Sequence, residues 1–157
     1  MSDTILRYVP AAPFRQPMPE QTGEAADLLR VMAPKAETIQ ANFENTVRFF
    51  DPGENWSGVR CPTCDAEIEE WWGGAMEKAY ETEFKNLSAQ TPCCGTSVSL
   101  NTLKYIWPAA FGRFALEALN PNMDNTTRAQ DEELAKSIGA PLRKIWVRVS
   151  SQTGYST

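Results

Sequence analysis

The sequence predicts an α+β fold, a small antiparallel sheet with several helices, on three observations. Segments of helical period alternate along the chain with segments of two-residue period. Apolar residues fill 42% of 157 positions, enough to bury a core without disulfide staples. Four cysteines fall in two tight pairs that bracket one predicted helix and so tie distant parts of the chain together. The expected organisation is an extended Pro-rich arm over residues 1–19, one α+β domain over 20–150 and a flexible tail over 151–157.

The arm is expected because prolines stand at positions 10, 13, 17 and 19, where each fixes φ and removes an N–H donor. Ala25, Leu28, Leu29 and Met32 then follow helical spacing, and Pro34 stops that helix. Two strands are predicted between Glu37 and Phe50, one through Thr38, Ile39 and Phe43 and one from Thr46 to Phe50. Asp51-Pro-Gly-Glu-Asn55 is a turn by composition. From Ala66 to Leu87, Ile68, Trp71, Trp72, Ala75, Met76, Ala79, Tyr80 and Leu87 form a stripe at three- and four-residue steps, hence a long helix. Gly73-Gly74 predicts a kink or a close backbone contact within it.

Thr96 to Tyr105 is expected to be a strand running into a loop. Pro108 suits the first turn of a helix reaching Leu119, with Phe111, Phe114, Ala115, Ala118 and Leu119 inward. A last helix over Thr127 to Ile138 stops at Gly139 and Pro141. In the final strand, Leu142 to Ser150, Ile145, Val147 and Val149 alternate with Lys144, Trp146 and Arg148.

Composition excludes several chemistries. There is no histidine, so no Ser-His-Asp or Cys-His nucleophile, no imidazole base and no imidazole metal ligand. Twenty acidic against fifteen basic residues give a net charge of −5, which argues against broad nucleic-acid or anionic-membrane binding. No phosphate-cradling glycine motif is present. The N-terminus lacks a basic region followed by an apolar run, and no apolar stretch is long enough to span a bilayer. A cytoplasmic location is expected, where thiols stay reduced.

In that setting Cys61-Pro-Thr-Cys64 and Cys93-Cys94 read as ligands. Zinc takes four thiolates tetrahedrally, and a Cys-x-x-Cys turn folds back to offer two sulfurs to one ion. Adjacent Cys93 and Cys94 can ligate the same ion if the chain bends sharply between them, and Gly95 supplies the freedom. Two other readings stand beside this one: four separate core thiols or three ligands with one bystander, and a thioredoxin-like reactive thiolate at Cys61. Four sulfur ligands close the coordination sphere, so zinc would fold this protein rather than catalyse.

The stretch from Asp65 to Lys85 is strongly acidic, with Glu77 and Glu81 among seven carboxylates, and is expected to be a solvated face or a docking surface. Trp71, Trp72 and Trp107 fit core positions. Trp146, between Lys144 and Arg148, is either an interface anchor or packs beneath a helix. A partner surface is therefore expected at Lys144, Trp146, Arg148, Glu77 and Glu81.

The elements Arg7-Tyr-Val-Pro10, Val59-Arg-Cys-Pro-Thr-Cys64, Trp71-Trp72, Pro92-Cys-Cys-Gly95, Trp107-Pro-Ala-Ala-Phe111 and Pro141-Leu-Arg143 together resemble an uncharacterised family of bacterial proteins. That family carries zinc-ribbon-like Cys-Pro-x-Cys and Pro-Cys-Cys-Gly elements. The resemblance supports the zinc site and lends no support to an enzyme. In size, acidity and class the chain is also similar to bacterial immunity proteins, which neutralise toxins of competing cells. The expected function is thus a non-enzymatic, zinc-stabilised protein-binding domain of immunity type. The alternatives are a thiol-disulfide oxidoreductase using Cys61-Pro-Thr-Cys64 and a zinc-ribbon nucleic-acid module.

Overall fold

A computed structural model describes residues 2–150. Its elements in chain order are β1 (Ser2–Pro10), α1 (Pro19–Met32), β2 (Thr38–Phe50), β3 (Val59–Arg60), α2 (Glu69–Glu81), β4 (Ser88–Gln90), β5 (Ser97–Ser99), β6 (Lys104–Tyr105), β7 (Ala110–Leu119), α3 (Arg128–Ile138) and β8 (Leu142–Ser150). The α+β class is as the sequence predicts. The expected tail, 151–157, lies outside the described residues.

Four strands make one antiparallel sheet in the order β2-β7-β1-β8. With α1 after β1 and α3 after β7, this is the split βαβ arrangement of ferredoxin-like folds. Residues 51–109 are inserted between its second and third strands. They carry two small antiparallel pairs, β3–β6 and β4–β5, and the helix α2.

The central strands of the sheet are covered on both faces. Leu6 and Tyr8 of β1, with Phe114 and Leu116 of β7, meet Ala25 and Leu29 of α1 and Leu134 and Ile138 of α3. The alternate residues Val9, Ala115, Ile145 and Val147 form a second cluster with Phe50 and Ala110 on the opposite face. This two-sided burial explains two corrections. The expected arm is not found among the described residues: Ser2–Pro10 is a central strand, with Leu6 facing both Ala118 and Trp146 across its neighbours. Pro10 merely ends that strand and Pro19 opens α1. Nor is 108–119 a helix. A strand covered on both sides is apolar almost continuously, so Phe111, Phe114, Ala115 and Ala118 also satisfy a helical stripe.

Smaller differences follow the same logic. The two strands expected within 38–50 are one, with a register shift between Phe43 and Arg48 where the polar residues interrupt it. The helix expected to reach Leu87 stops at Glu81, and Glu83 and Phe84 take left-handed φ of 58° and 57° as the chain reverses. α2 runs through Gly73-Gly74 without interruption, and no close backbone contact is made there, since an added Cβ would meet nothing within 4 Å at either position. Trp107, expected in the core, is exposed. The predicted strand at 96–105 is short, Ser97–Ser99, followed by a 3₁₀ turn at Leu100–Thr102 and by β6. The last helix and last strand fall where expected, and Gly139 closes α3 at φ 83° with the left-handed cap its position calls for.

The insertion is joined to the sheet by a buried polar link. Asn101 donates to the Ala11 carbonyl (3.0 Å) and accepts from the Phe111 N–H (2.9 Å). Arg143 of β8 donates to the Asn101 and Ala109 carbonyls at 2.8 and 2.9 Å. A third apolar cluster, from Val59, Cys61, Ile68, Leu87, Leu100 and Leu103 with Phe111 of β7, runs beneath this link.

Candidate metal centre

Each cysteine pair sits at the tip of a short strand. The first follows β3, whose Val59 pairs with Tyr105 of β6, and the second joins β4 to β5. Locally the two turns are alike. The Cys61 N–H donates to the Ala66 carbonyl and the Asp65 N–H to the Cys61 carbonyl, both at 2.9 Å. Thirty residues on, the Thr91 N–H donates to the Thr96 carbonyl and the Gly95 N–H to the Thr91 carbonyl, both at 3.0 Å. A proline stands second in each turn, at Pro62 and Pro92, and a left-handed residue fifth, Asp65 at φ 65° and Gly95 at φ 69°. These are two copies of one knuckle.

The knuckles bring the four sulfurs of Cys61, Cys64, Cys93 and Cys94 to within 4.8 Å of one another. Cys61 and Cys94 are 3.8 Å apart and Cys64 and Cys93 3.2 Å. A tetrahedron with metal–sulfur bonds of about 2.3 Å has edges of about 3.8 Å, so this spacing suits a single tetrahedral ion. Cys61 is buried, and the other three are exposed. All four cysteines expected as ligands are thus brought together and can hold a metal.

Donors around the sulfurs favour thiolates unevenly. The Cys64 and Thr63 N–H groups pull the Cys61 thiol down to about 6, against the effect of burial. The Thr91 and Thr96 hydroxyls and the Thr96 N–H lower Cys94. At Cys64 the Ala66 N–H works downward, but Cys93, burial, Cys61 and Cys94 outweigh it and push the thiol up to about 12. Crowded thiols resist shedding every proton, and a cation among them removes that resistance. Lys104 Nζ lies 2.8 Å from Asp65, next to Cys64, and holds that carboxyl below its usual range; Arg60 donates to the Asp65 carbonyl at 3.2 Å. Beneath the knuckles, Trp56, Trp72, Tyr105 and Phe49 pack ring on ring, with Trp56 and Trp72 centroids 4.9 Å apart.

The residues expected to meet a partner stand on two elements, Lys144, Trp146 and Arg148 on β8 and Glu77 and Glu81 on α2. Lys144 is engaged beneath α3, donating to Asp131 and Thr126 at 2.8 and 2.9 Å. Trp146 is half-buried against the helix-side core, so it packs beneath a helix rather than standing out as an anchor. Arg148 is exposed, although its backbone is held by Pro52 and Glu54. Glu77 and Glu81 are exposed on α2.

The knuckle repeat escaped the sequence reading. Its signal was present: Pro-x-Cys followed by Asp or Gly recurs at an interval of thirty, with Thr91 in the place of Cys61. Among the described residues no helix is long and apolar enough to cross a membrane. Comparison of the chain with protein-family models, curated proteins and solved structures gives no match.

Proposed function

We propose that the four cysteines bind one zinc ion as a closed structural site, and that the protein is a non-enzymatic binding domain built around it. The observation that carries the metal reading is the pair of matching knuckles with four sulfurs within 4.8 Å. Zinc is favoured over other soft-site metals by its preference for tetrahedral thiolates. For the binding role, support comes from the acidic charge and from Glu77 and Glu81, which leave α2 a negative outer face for a basic partner. An immunity-type role, sequestering a toxin domain, is the form of this reading that the likeness in class supports.

The oxidoreductase alternative draws on the lowered Cys61 thiol, but that sulfur is buried and ringed by three others. Attack on an external disulfide needs an accessible thiolate. The nucleic-acid alternative has little to draw on. Of its three cations on the last strand, Arg143 and Lys144 are tied to Asn101 and Asp131.

Metal analysis of protein purified without chelator is the test, with about one zinc per chain expected. Metal-free protein whose thiols cycle with glutathione would support the oxidoreductase instead. For the partner, a toxin gene beside this one and copurification of the toxin domain are expected. A gene set among metabolic enzymes, with no protein recovered, would sink the immunity role.

A further inference from the structure

The two edges of the four-stranded sheet differ. At the β8 edge residues 52–55 cover the strand. There the Arg148 N–H donates to the Pro52 carbonyl (3.2 Å), the Arg148 carbonyl accepts from the Glu54 N–H (2.7 Å), and Asn55 donates to the Trp146 carbonyl (3.1 Å). At the β2 edge, nothing among the described residues covers positions 38–43 in this way.

The ladder fixes which backbone groups stand open there. The Asn120 N–H donates to the Thr4 carbonyl (2.7 Å), so residues 120, 118 and 116 turn their backbone groups towards β1, and 119, 117 and 115 turn theirs towards β2. The β2 residues opposite these, Thr38, Gln40 and Asn42, bond to β7. The N–H and C=O groups of Ile39, Ala41 and Phe43 therefore point outward, with no hydrogen-bond partner among the described residues. An open edge is ordinarily blunted by lysine, proline or short length. Residues 38–43 hold no charge and no proline, and they belong to the longest strand of the sheet. Ala41 is exposed, and Phe43 is 45% exposed although its ring meets Phe114 on the helix side, where Ile39 also packs.

We propose that this edge pairs with the same edge of a second copy of the chain, in a two-fold antiparallel register centred on Ala41. In that register Ala41 opposes Ala41 and Ile39 opposes Phe43, so every outward N–H meets an outward C=O on both strands. A centre at Gln40 would oppose Phe43 to Glu37, outside the strand, and one at Asn42 would oppose Ile39 to Asn45, beyond the start of the register shift. The two-fold keeps the helix-covered faces on one side. It sets Ile39 beside Phe43 of the second copy there, and Gln40 beside Asn42 on the other face. Glu44 falls opposite Thr38, so no like charges meet. A strand whose neutral edge complements itself in this way is matched by its own copy.

Sedimentation of the chain as purified is the test. The mass should rise from one chain towards two between roughly 1 and 300 µM, the range that a small interface allows. Ala41→Lys sets two ammonium groups against each other on the two-fold and should weaken association about tenfold or more, with the far-ultraviolet circular dichroism unchanged. Ser88→Lys, the same charge placed on the insertion, should leave association as it is. Hydrogen exchange of the native chain needs no variant: the Ile39, Ala41 and Phe43 amides should exchange about fivefold more slowly at the high concentration than at the low one. A monomer throughout that range overturns the proposal. So does a dimer that Ala41→Lys leaves intact, one that Ser88→Lys weakens equally, or one that leaves those three amides unprotected. If Ala41→Lys does not fold, exchange in the native chain decides.

Discussion

In the four-stranded frame, strands run nine to thirteen residues and the central ones bury side chains on both faces, whereas the strands of the inserted segment are two or three residues long. The frame can be accounted for by burial alone: two helices cover one face, and Phe50 and the start of the insertion close over the other. In the insertion, α2 buries only Ala79 fully, and its other inward residues, Trp72 and Met76 among them, are half-covered. Isolated two-stranded pairs are marginal in water. A tetrathiolate ion supplies what the short strands lack, because it closes two distant loops and ties β3 to the β4–β5 hairpin.

The largest effect expected is therefore confined to one region. Cys61→Ser, or removal of metal by a strong chelator, forfeits much of a metal-binding free energy on the order of 10 kcal/mol. Near-ultraviolet circular dichroism and tryptophan emission should collapse, because Trp56, Trp71, Trp72 and Trp107 all lie in the insertion. The far-ultraviolet strand signal of the frame should persist. Loss of both signals together would show that the two regions fold as one.

Leu6→Ala is the opposite probe. It empties a fully buried site in the central strand and should cost about 2–5 kcal/mol of global stability in urea titration, with metal content unchanged in the native state. Asn101→Ala strikes the joint. It leaves the Phe111 N–H without its acceptor, the Ala11 carbonyl without its donor and Arg143 short of a partner, at about 2 kcal/mol. Hydrogen exchange should then rise on both sides of the joint, the sign that it couples them.

Asp131→Asn should cost about 1 kcal/mol near neutral pH, an amount reduced by partial exposure. Burial raises the Asp131 carboxyl, but Lys144, Thr126 and Tyr8 outweigh it and hold it below its usual value. A depressed carboxyl stabilises fully above its unfolded pKa and loses that contribution as pH falls through the folded value. The variant should thus lose the corresponding part of the acid limb of the stability profile. The smallest effect is a gain: Gly74→Ala adds a methyl in open space on α2 and should stabilise the insertion by about 0.5–1 kcal/mol.

Legibility differed between the same two regions. The cysteine set was readable because ligand chemistry depends on residue type and spacing, and all four cysteines converge. The terminal elements were readable where local signals agree with the fold, as at Gly139 after α3 and the alternation of β8. The central strands were not. Residues 110–119 carry a pattern that fits either period, and the proline count of the first segment concealed a strand whose interior residues contain none. Trp146 and Lys144 looked outward by alternation because a single covered face was assumed, whereas β8 is packed on both.

By itself the sequence determined the α+β class, the four-sulfur set, the exclusion of imidazole chemistry and the ends of the last two elements, since each depends on residue type or on signals within a few positions. Only the tertiary structure decided that Ser2–Pro10 lies at the centre of the sheet, that 110–119 is a strand, and that the two cysteine turns are copies in which Thr91 stands where Cys61 does. Those outcomes are set by which surfaces cover a segment and which donors reach a sulfur. Both depend on contacts between residues far apart in the chain, which local pattern does not encode.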